Sequence, residues 1–161
     1  MKDNVPIEIL LVEDNPYDVE LTLRALKQNH IANHVHTVWD GAEALEFIFC
    51  TGAYTQRNFS IPKLILLDLK LPKLDGVEVL QRIKADPRTK LIPVVALTTS
   101  NAERDVKECY QLDINSYIVK PLDFKQFADA IRQVGLYWLL LNRLPSEEVQ
   151  EKANPEESAD M

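Results

Sequence analysis

The chain has only two cysteines, Cys50 and Cys109, far apart and without a Cys-x-x-Cys spacing. A disulfide scaffold and a thiolate metal site therefore have no support, and both thiols read as reduced fillers in helical segments. No apolar run approaches the roughly 20 residues that span a bilayer. The opening Met-Lys-Asp-Asn-Val-Pro also lacks the apolar core of a secretory signal. The expectation is a cytoplasmic protein with no membrane partner. A basic stripe, which would displace counterions from nucleic-acid phosphates, is missing as well, so nucleic acid is not an expected partner. The net charge of -7 is concentrated in residues 147–161, where six acids face one lysine, and the preceding chain is nearly neutral.

What remains is an ordinary soluble composition. With 161 residues, 46% hydrophobic and 27% charged, the chain accommodates one domain and a modest appendage. The division expected is a folded domain at 1–145 and an acidic, disordered tail at 146–161. No internal repeat occurs, and the stretch from Cys50 to Pro62 reads as one long loop.

Continuous apolar runs at Ile7 to Val12, Leu64 to Leu67, Ile92 to Leu97 and Tyr117 to Val119 have the pattern of strands buried on both faces. A further short strand fits Val35 to Val38. Between them, residues such as Val19, Leu23 and Leu26, or Val77, Leu80 and Ile83, keep the three-to-four spacing of one helix face. Asn15-Pro16 reads as an N-cap followed by proline at the first helical position, and Ser100 as a cap for the fourth helix. Strand and helix thus alternate about five times, which with right-handed crossovers gives a doubly wound α/β domain around a five-stranded parallel sheet.

Ligands of such sheets sit beyond the carboxyl ends of the strands. There the sequence places Glu13 and Asp14, Asp68, Thr98 and Thr99, and Lys120 followed by Pro121. In the order 2-1-3-4-5, Asp68 falls between the acidic pair and Thr98. Three crowded carboxylates call for a cation, and hard oxygen ligands at an open site suit Mg²⁺. With Lys120 and Thr98 meeting phosphoryl oxygens, Asp68 is free to act as nucleophile in phosphoryl transfer.

Leu-Leu-Val-Glu13-Asp14-Asn, Leu-Leu-Asp68-Leu-Lys-Leu-Pro72-x-x-Asp75-Gly76, Thr98-Thr-Ser and Tyr117-x-x-Lys120-Pro121 resemble the receiver domains of bacterial response regulators, over residues 7 to about 135. The resemblance implies a flavodoxin-like receiver fold with an extended C-terminal helix. It also implies a single-domain response regulator of a two-component system that is not an enzyme beyond its own phosphorylation and dephosphorylation. Residue by residue, it implies Asp14 and Asp68 as metal ligands, Glu13 through water, the Lys70 carbonyl as a further ligand and Asp68 as phosphoacceptor. Thr98 and Tyr117 would form the switch pair, and the Lys120-Pro121 bond would be cis. The Asp-Leu-Lys-Leu-Pro and Leu-Thr-Thr-Ser runs and the aromatic last helix are closer to the small response regulators paired with cyanobacterial phytochrome kinases. A sensor histidine kinase of phytochrome type is then the implied partner. Output would pass through helix four, strand five and helix five.

The last helix carries more apolar surface than one face accommodates. Phe124, Phe127, Ile131, Val134, Trp138 and Leu141 share a sheet-facing spacing, which leaves Leu136, Tyr137, Leu139, Leu140 and Leu144 uncovered. A patch of that size marks a partner surface, most simply that of a homodimer. His34 and His36 are expected on the surface, without further ligands for a metal.

Three rival functions meet specific obstacles. A phosphatase of the haloacid-dehalogenase type needs a second acid two residues after its nucleophile, where this chain has Lys70. A flavin-binding module needs a Ser/Thr/Gly-rich phosphate loop after the first strand, which is missing. A receiver that binds partners without being phosphorylated would have lost Asp14, Asp68 or Lys120, and all three are present.

Overall fold

In the computed structural model, which describes residues 7–28, 31 and 34–145, strand and helix alternate as the apolar periodicity predicts. The order is β1 (Ile9–Val12), α1 (Pro16–Gln28), β2 (Val35–Val38), α2 (Gly41–Phe49), β3 (Leu64–Leu67), α3 (Gly76–Ala85), β4 (Val94–Thr98), α4 (Glu103–Gln111), β5 (Ser116–Val119) and α5 (Phe124–Gly135). The strands form one parallel sheet in the order β2-β1-β3-β4-β5. The acidic tail lies outside the described residues. Among those residues no helix is long and apolar enough to cross a membrane.

Alternation along each strand divides the core in two. Ile9, Leu11, Leu64, Leu66, Val95 and Leu97 meet Leu26 of α1 and Phe127 and Ile131 of α5. On the other face Leu10, Val12, Ile65, Leu67, Val94 and Ala96 meet Phe47 of α2 and Leu80 and Ile83 of α3. Each such aliphatic side chain contributes roughly 1.5–3 kcal/mol by leaving water. The central strands read as unbroken apolar runs because both faces are covered.

Helix starts follow the capping residues. Asn15 Oδ1 accepts the N–H groups of Tyr17 (2.9 Å) and Asp18 (3.2 Å), as the Asn-Pro pair predicts. Asp40, Asp75 and Asp123 cap α2, α3 and α5. The expected Ser100 cap is corrected: Ala102 occupies the N-cap of α4 without a side-chain bond. Ser100 Oγ instead hydrogen-bonds the Asp105 carboxylate and only weakly takes the Ala102 N–H, at 3.4 Å.

Three other expectations change. The Cys50–Pro62 stretch includes a 3₁₀ turn at Gly52–Tyr54 and is pinned by Arg57, whose guanidinium donates to the carbonyls of Phe47 (2.9 Å) and Ser60 (2.8 Å) while lying 4.0 Å over the Phe47 ring. His36 is not a surface residue: it is half-buried and stacked on Phe47, because that loop folds Tyr54 over the edge strand. His34 is half-buried too, just before β2.

Beyond Gly135 the last helix widens into a π-helical segment, Leu136–Leu141, with the Asn142 N–H bonded to the Tyr137 carbonyl at 2.6 Å. A π-helix repeats more slowly than the three-to-four spacing, so faces read from α periodicity rotate out of place. Leu141, expected to face the sheet, is 75% exposed, whereas Leu136 and Leu139, expected uncovered, pack against the core with Trp138. Tyr137 and Leu140 are exposed as expected, Leu144 is half-buried, and Phe124 at the start of α5 is exposed rather than sheet-facing.

Candidate functional site

Parallel pairing continues one residue past the strands, and this brings the chemistry together. Asp68 N–H donates to the Val12 carbonyl (3.0 Å), Glu13 N–H to Val38 (3.1 Å) and Lys120 N–H to Thr98 (2.7 Å). Because β3 lies between β1 and β4, Asp68 occupies the centre of the carboxyl edge. Carboxylate oxygens of Glu13, Asp14 and Asp68 all lie within 4.8 Å of one another. Asp14 is exposed, and Glu13 and Asp68 are buried.

Lys120 enters this acidic cluster from the end of β5. Its Nζ donates to Glu13 Oε2 at 2.6 Å, to Asp18 Oδ2 at 2.9 Å and to Asp68 Oδ2 at 3.4 Å. Burial alone would lower the lysine pKa, but its hydrogen bonds to Glu13 and Asp18 outweigh burial and hold it charged, with a net upward shift. Burial pushes the Glu13 carboxyl up to about 7, against the pull of the Lys120 hydrogen bond.

The backbone around Asp68 is shaped by Gly76. Its N–H donates to the Leu69 carbonyl at 2.9 Å, and a Cβ there would stand 2.3 Å from the Asp68 carbonyl oxygen and 2.6 Å from Leu69 Cα. The Asp75-Gly76 pair therefore lets α3 begin directly against the strand end that carries Asp68. The Lys70 N–H turns back to Asp68 Oδ1 at 3.3 Å, and its side chain is exposed.

Thr98 and Tyr117 converge on a single residue. Thr98 Oγ1 accepts the Ser100 N–H at 3.3 Å, and the Tyr117 hydroxyl donates to the Ser100 carbonyl at 2.9 Å. Thr98 is fully buried, Tyr117 half-buried and Thr99 exposed. The Lys120-Pro121 bond, implied to be cis, is corrected: no cis peptide occurs among the described residues, and trans is the intrinsically favoured form even before proline.

Asp18 was missed from sequence. The signal was its place three residues after the Asn15 cap, where the first turn of α1 returns a side chain to the strand end.

A doubly wound sheet with three carboxylates and one lysine at the carboxyl edge defines a receiver-type α/β domain. The chain belongs to the response regulator receiver domain family, whose model matches residues 9–132. It is 41% identical to response regulator Rcp1 of Synechocystis sp. over 145 residues, covering 90% of this chain and 97% of that protein. It is 39% identical to the probable methanogenesis regulatory protein FilR2 of Methanothrix harundinacea over 140 residues, covering 87% and 88%. The crystal structure of the phosphorylated cyanobacterial phytochrome response regulator RcpA superposes with a TM-score of 0.81 at 42% identity, over 88% of this chain and all of that one. The Mn²⁺-bound form of Rcp1 superposes with the same score over the same share of the chain, at 41% identity. The protein is thus a response regulator of two-component signalling, similar to those of phytochromes.

Proposed function

We propose that Asp68 accepts a phosphoryl group from a sensor histidine kinase of phytochrome type, with Mg²⁺ held by Glu13, Asp14, Asp68 and the Lys70 carbonyl. The observation that carries this reading is the convergence of those three carboxylates with the Lys120 ammonium at one strand edge. The cluster fits a hard divalent cation, since its side-chain donors are all carboxylate oxygens and Asp14 is exposed to solvent. When bound, the ion supplies positive charge against the phosphoryl oxygens.

The chain's own residues do the rest. An Asp68 oxygen forms the new bond to phosphorus while the donor's bond breaks and its electron pair leaves with the donor. Lys120, already aligned on Asp68, neutralises a phosphoryl oxygen without surrendering a proton. Thr98, at the end of the neighbouring strand β4, donates its hydroxyl proton to another oxygen while its Oγ1 accepts the Ser100 N–H, so a turn of the hydroxyl toward the phosphoryl group pulls on Ser100. Tyr117 senses that pull through the Ser100 carbonyl. Signalling then proceeds by changed protein contacts rather than turnover of a substrate. The phosphorylated state named for RcpA, the metal named for Rcp1 and the phytochrome named for RcpA support the acceptor, the cation and the kinase class in turn. The exposed Tyr137 and Leu140 support a homodimer through the end of the last helix.

Intact-mass measurement after incubation with acetyl phosphate and Mg²⁺ tests the reading. One phosphoryl adduct is expected, absent in Asp68→Asn and with chelator. A folded wild-type protein that takes no adduct, or an adduct that survives Asp68→Asn, would overturn it.

A further inference from the structure

We propose that Asp18 is a positioning residue for phosphoryl acceptance: together with Glu13 it fixes the Lys120 ammonium so that one N–H stays directed at Asp68. The inference rests on Asp68 as phosphoacceptor and extends it, since Asp18 belongs neither to the carboxylate trio nor to the switch pair.

An ammonium carries three protons. Two meet carboxylates at short range, Glu13 at 2.6 Å and Asp18 at 2.9 Å, and only the third reaches toward Asp68, at 3.4 Å. Both short bonds come from one segment, the end of β1 and the first turn of α1. The lysine arriving from β5 is therefore gripped on one side and left loosely bonded on the other.

Asp18 is itself held in place. Its N–H is bound by Asn15 Oδ1 at 3.2 Å, and its carbonyl accepts from Thr22 Oγ1 at 2.8 Å. Its carboxylate sits in the first helical turn, where the macrodipole favours negative charge. The side chain is 23% exposed and that of Lys120 6%, so water screens this pair less than a surface ion pair.

As the Asp68–phosphorus bond forms and the donor departs with its electron pair, the third N–H passes from Asp68 to a phosphoryl oxygen. Lys120 remains charged throughout. Without Asp18 the ammonium keeps Glu13 as its one short-range partner, and the N–H aimed at Asp68 loses its fixed direction. Acceptance slows although the fold persists.

The test compares initial rates of phosphoryl labelling by acetyl phosphate and Mg²⁺ for wild type, Asp18→Ala and Asp18→Asn, each checked by thermal unfolding. Asparagine keeps an acceptor oxygen at the same reach. Asp18→Ala is expected to label about tenfold more slowly, the factor that the net contribution of one hydrogen bond sets. Asp18→Asn is expected to return to within about threefold of wild type. If alanine prevents folding, Asp18→Ser, too short to reach Lys120, takes its place with the same expectation. An unchanged rate in the truncated variant, or an Asp18→Asn rate as low as the truncation's, overturns the inference. Either result leaves wild-type labelling intact, and so differs from failure of the phosphoacceptor reading, in which wild type itself takes no label.

Discussion

The imidazole of His36 lies flat on the Phe47 ring, with centroids 4.3 Å apart and planes within 10° of parallel. The Tyr54 hydroxyl donates to Glu43 Oε2 at 2.8 Å, so its oxygen accepts from His36 Nε2, 3.0 Å away. That chain of bonds fixes the neutral tautomer with the proton on Nε2. Protonation would place a second charge beside Arg57, which already covers the other aromatic neighbour.

This makes stability sensitive to mild acid. Burial lowers the His36 pKa, Glu43 opposing and Arg57 reinforcing the shift. A base with a depressed folded pKa binds protons more readily when unfolded. Its contribution is therefore complete above the unfolded value of about 6.5 and is lost as pH falls below it. Glu13 acts with the opposite sign: its raised folded pKa removes stability as pH rises toward 7. The two separate in a difference measurement. Urea midpoints of wild type and His36→Phe, taken at pH 7.5 and 5.5 in matched buffers, should show wild type losing more on acidification. Equal losses would remove His36 from the pH response.

Gly76 couples fold to site. A methyl group there meets the Asp68 carbonyl oxygen and Leu69 Cα, both backbone, at distances no real contact allows. Relief requires α3 to move away from the strand end. Gly76→Ala should cost about 1–3 kcal/mol of unfolding free energy, the range for overpacking that shifts backbone. It should also lower phosphoryl labelling in protein that remains folded. Chemical denaturation and intact mass read the two effects on the same sample.

Much of this arrangement was legible in the sequence for one reason. Strands buried on both faces leave unbroken apolar runs such as Leu64–Leu67, so the first polar residue after each run marks the carboxyl edge. Glu13, Asp68, Thr98 and Lys120 could be placed that way. What escaped depended on geometry that periodicity does not carry. Asp18 reaches Lys120 through a turn of α1, not through a strand end. The burial of His36 depends on Tyr54, 18 positions later, and on the loop held by Arg57. The widening of the helix after Gly135 changes which leucines face inward, and at Gly135 itself a Cβ would stand 2.5 Å from Ile31 Cγ2.

Asn115 performs a structural task at the opposite end of the sheet. Its Oδ1 accepts the Val94 N–H at 2.8 Å, at the start of fully buried β4, and the Lys84 ammonium at 2.9 Å. Lys84 also donates to the carbonyls of Lys90 and Ile92, tying the end of α3 to this junction. Asn115→Ala leaves the Val94 N–H without its acceptor in an apolar setting, which costs about 1–3 kcal/mol. Labelling at Asp68 should be unchanged, because the phosphoacceptor lies at the other edge. Loss of labelling in a folded Asn115→Ala would contradict this separation.

The π-helical end makes neighbouring leucines unequal, which tests both the packing and the proposed dimer. Leu139 packs against the core layer formed by α1 and α5, whereas Leu140 is 64% exposed. An aspartate at 139 forces a carboxyl group into apolar surroundings, and Leu139→Asp should lower stability by about 2–4 kcal/mol. Leu140→Asp should change it by less than about 0.5 kcal/mol, as surface substitutions do. Had the helix kept α periodicity, 140 would lie one position from the face carrying Trp138 and Leu141, and the two variants would cost similar amounts. Sedimentation supplies the second reading. If the exposed leucines pair two copies, Leu140→Asp yields monomer at concentrations where wild type is dimeric, with its melting unaltered once extrapolated to the monomer. A dimer that survives Leu140→Asp and Tyr137→Asp together assigns the pairing to another surface and leaves the end of the last helix with a packing role alone.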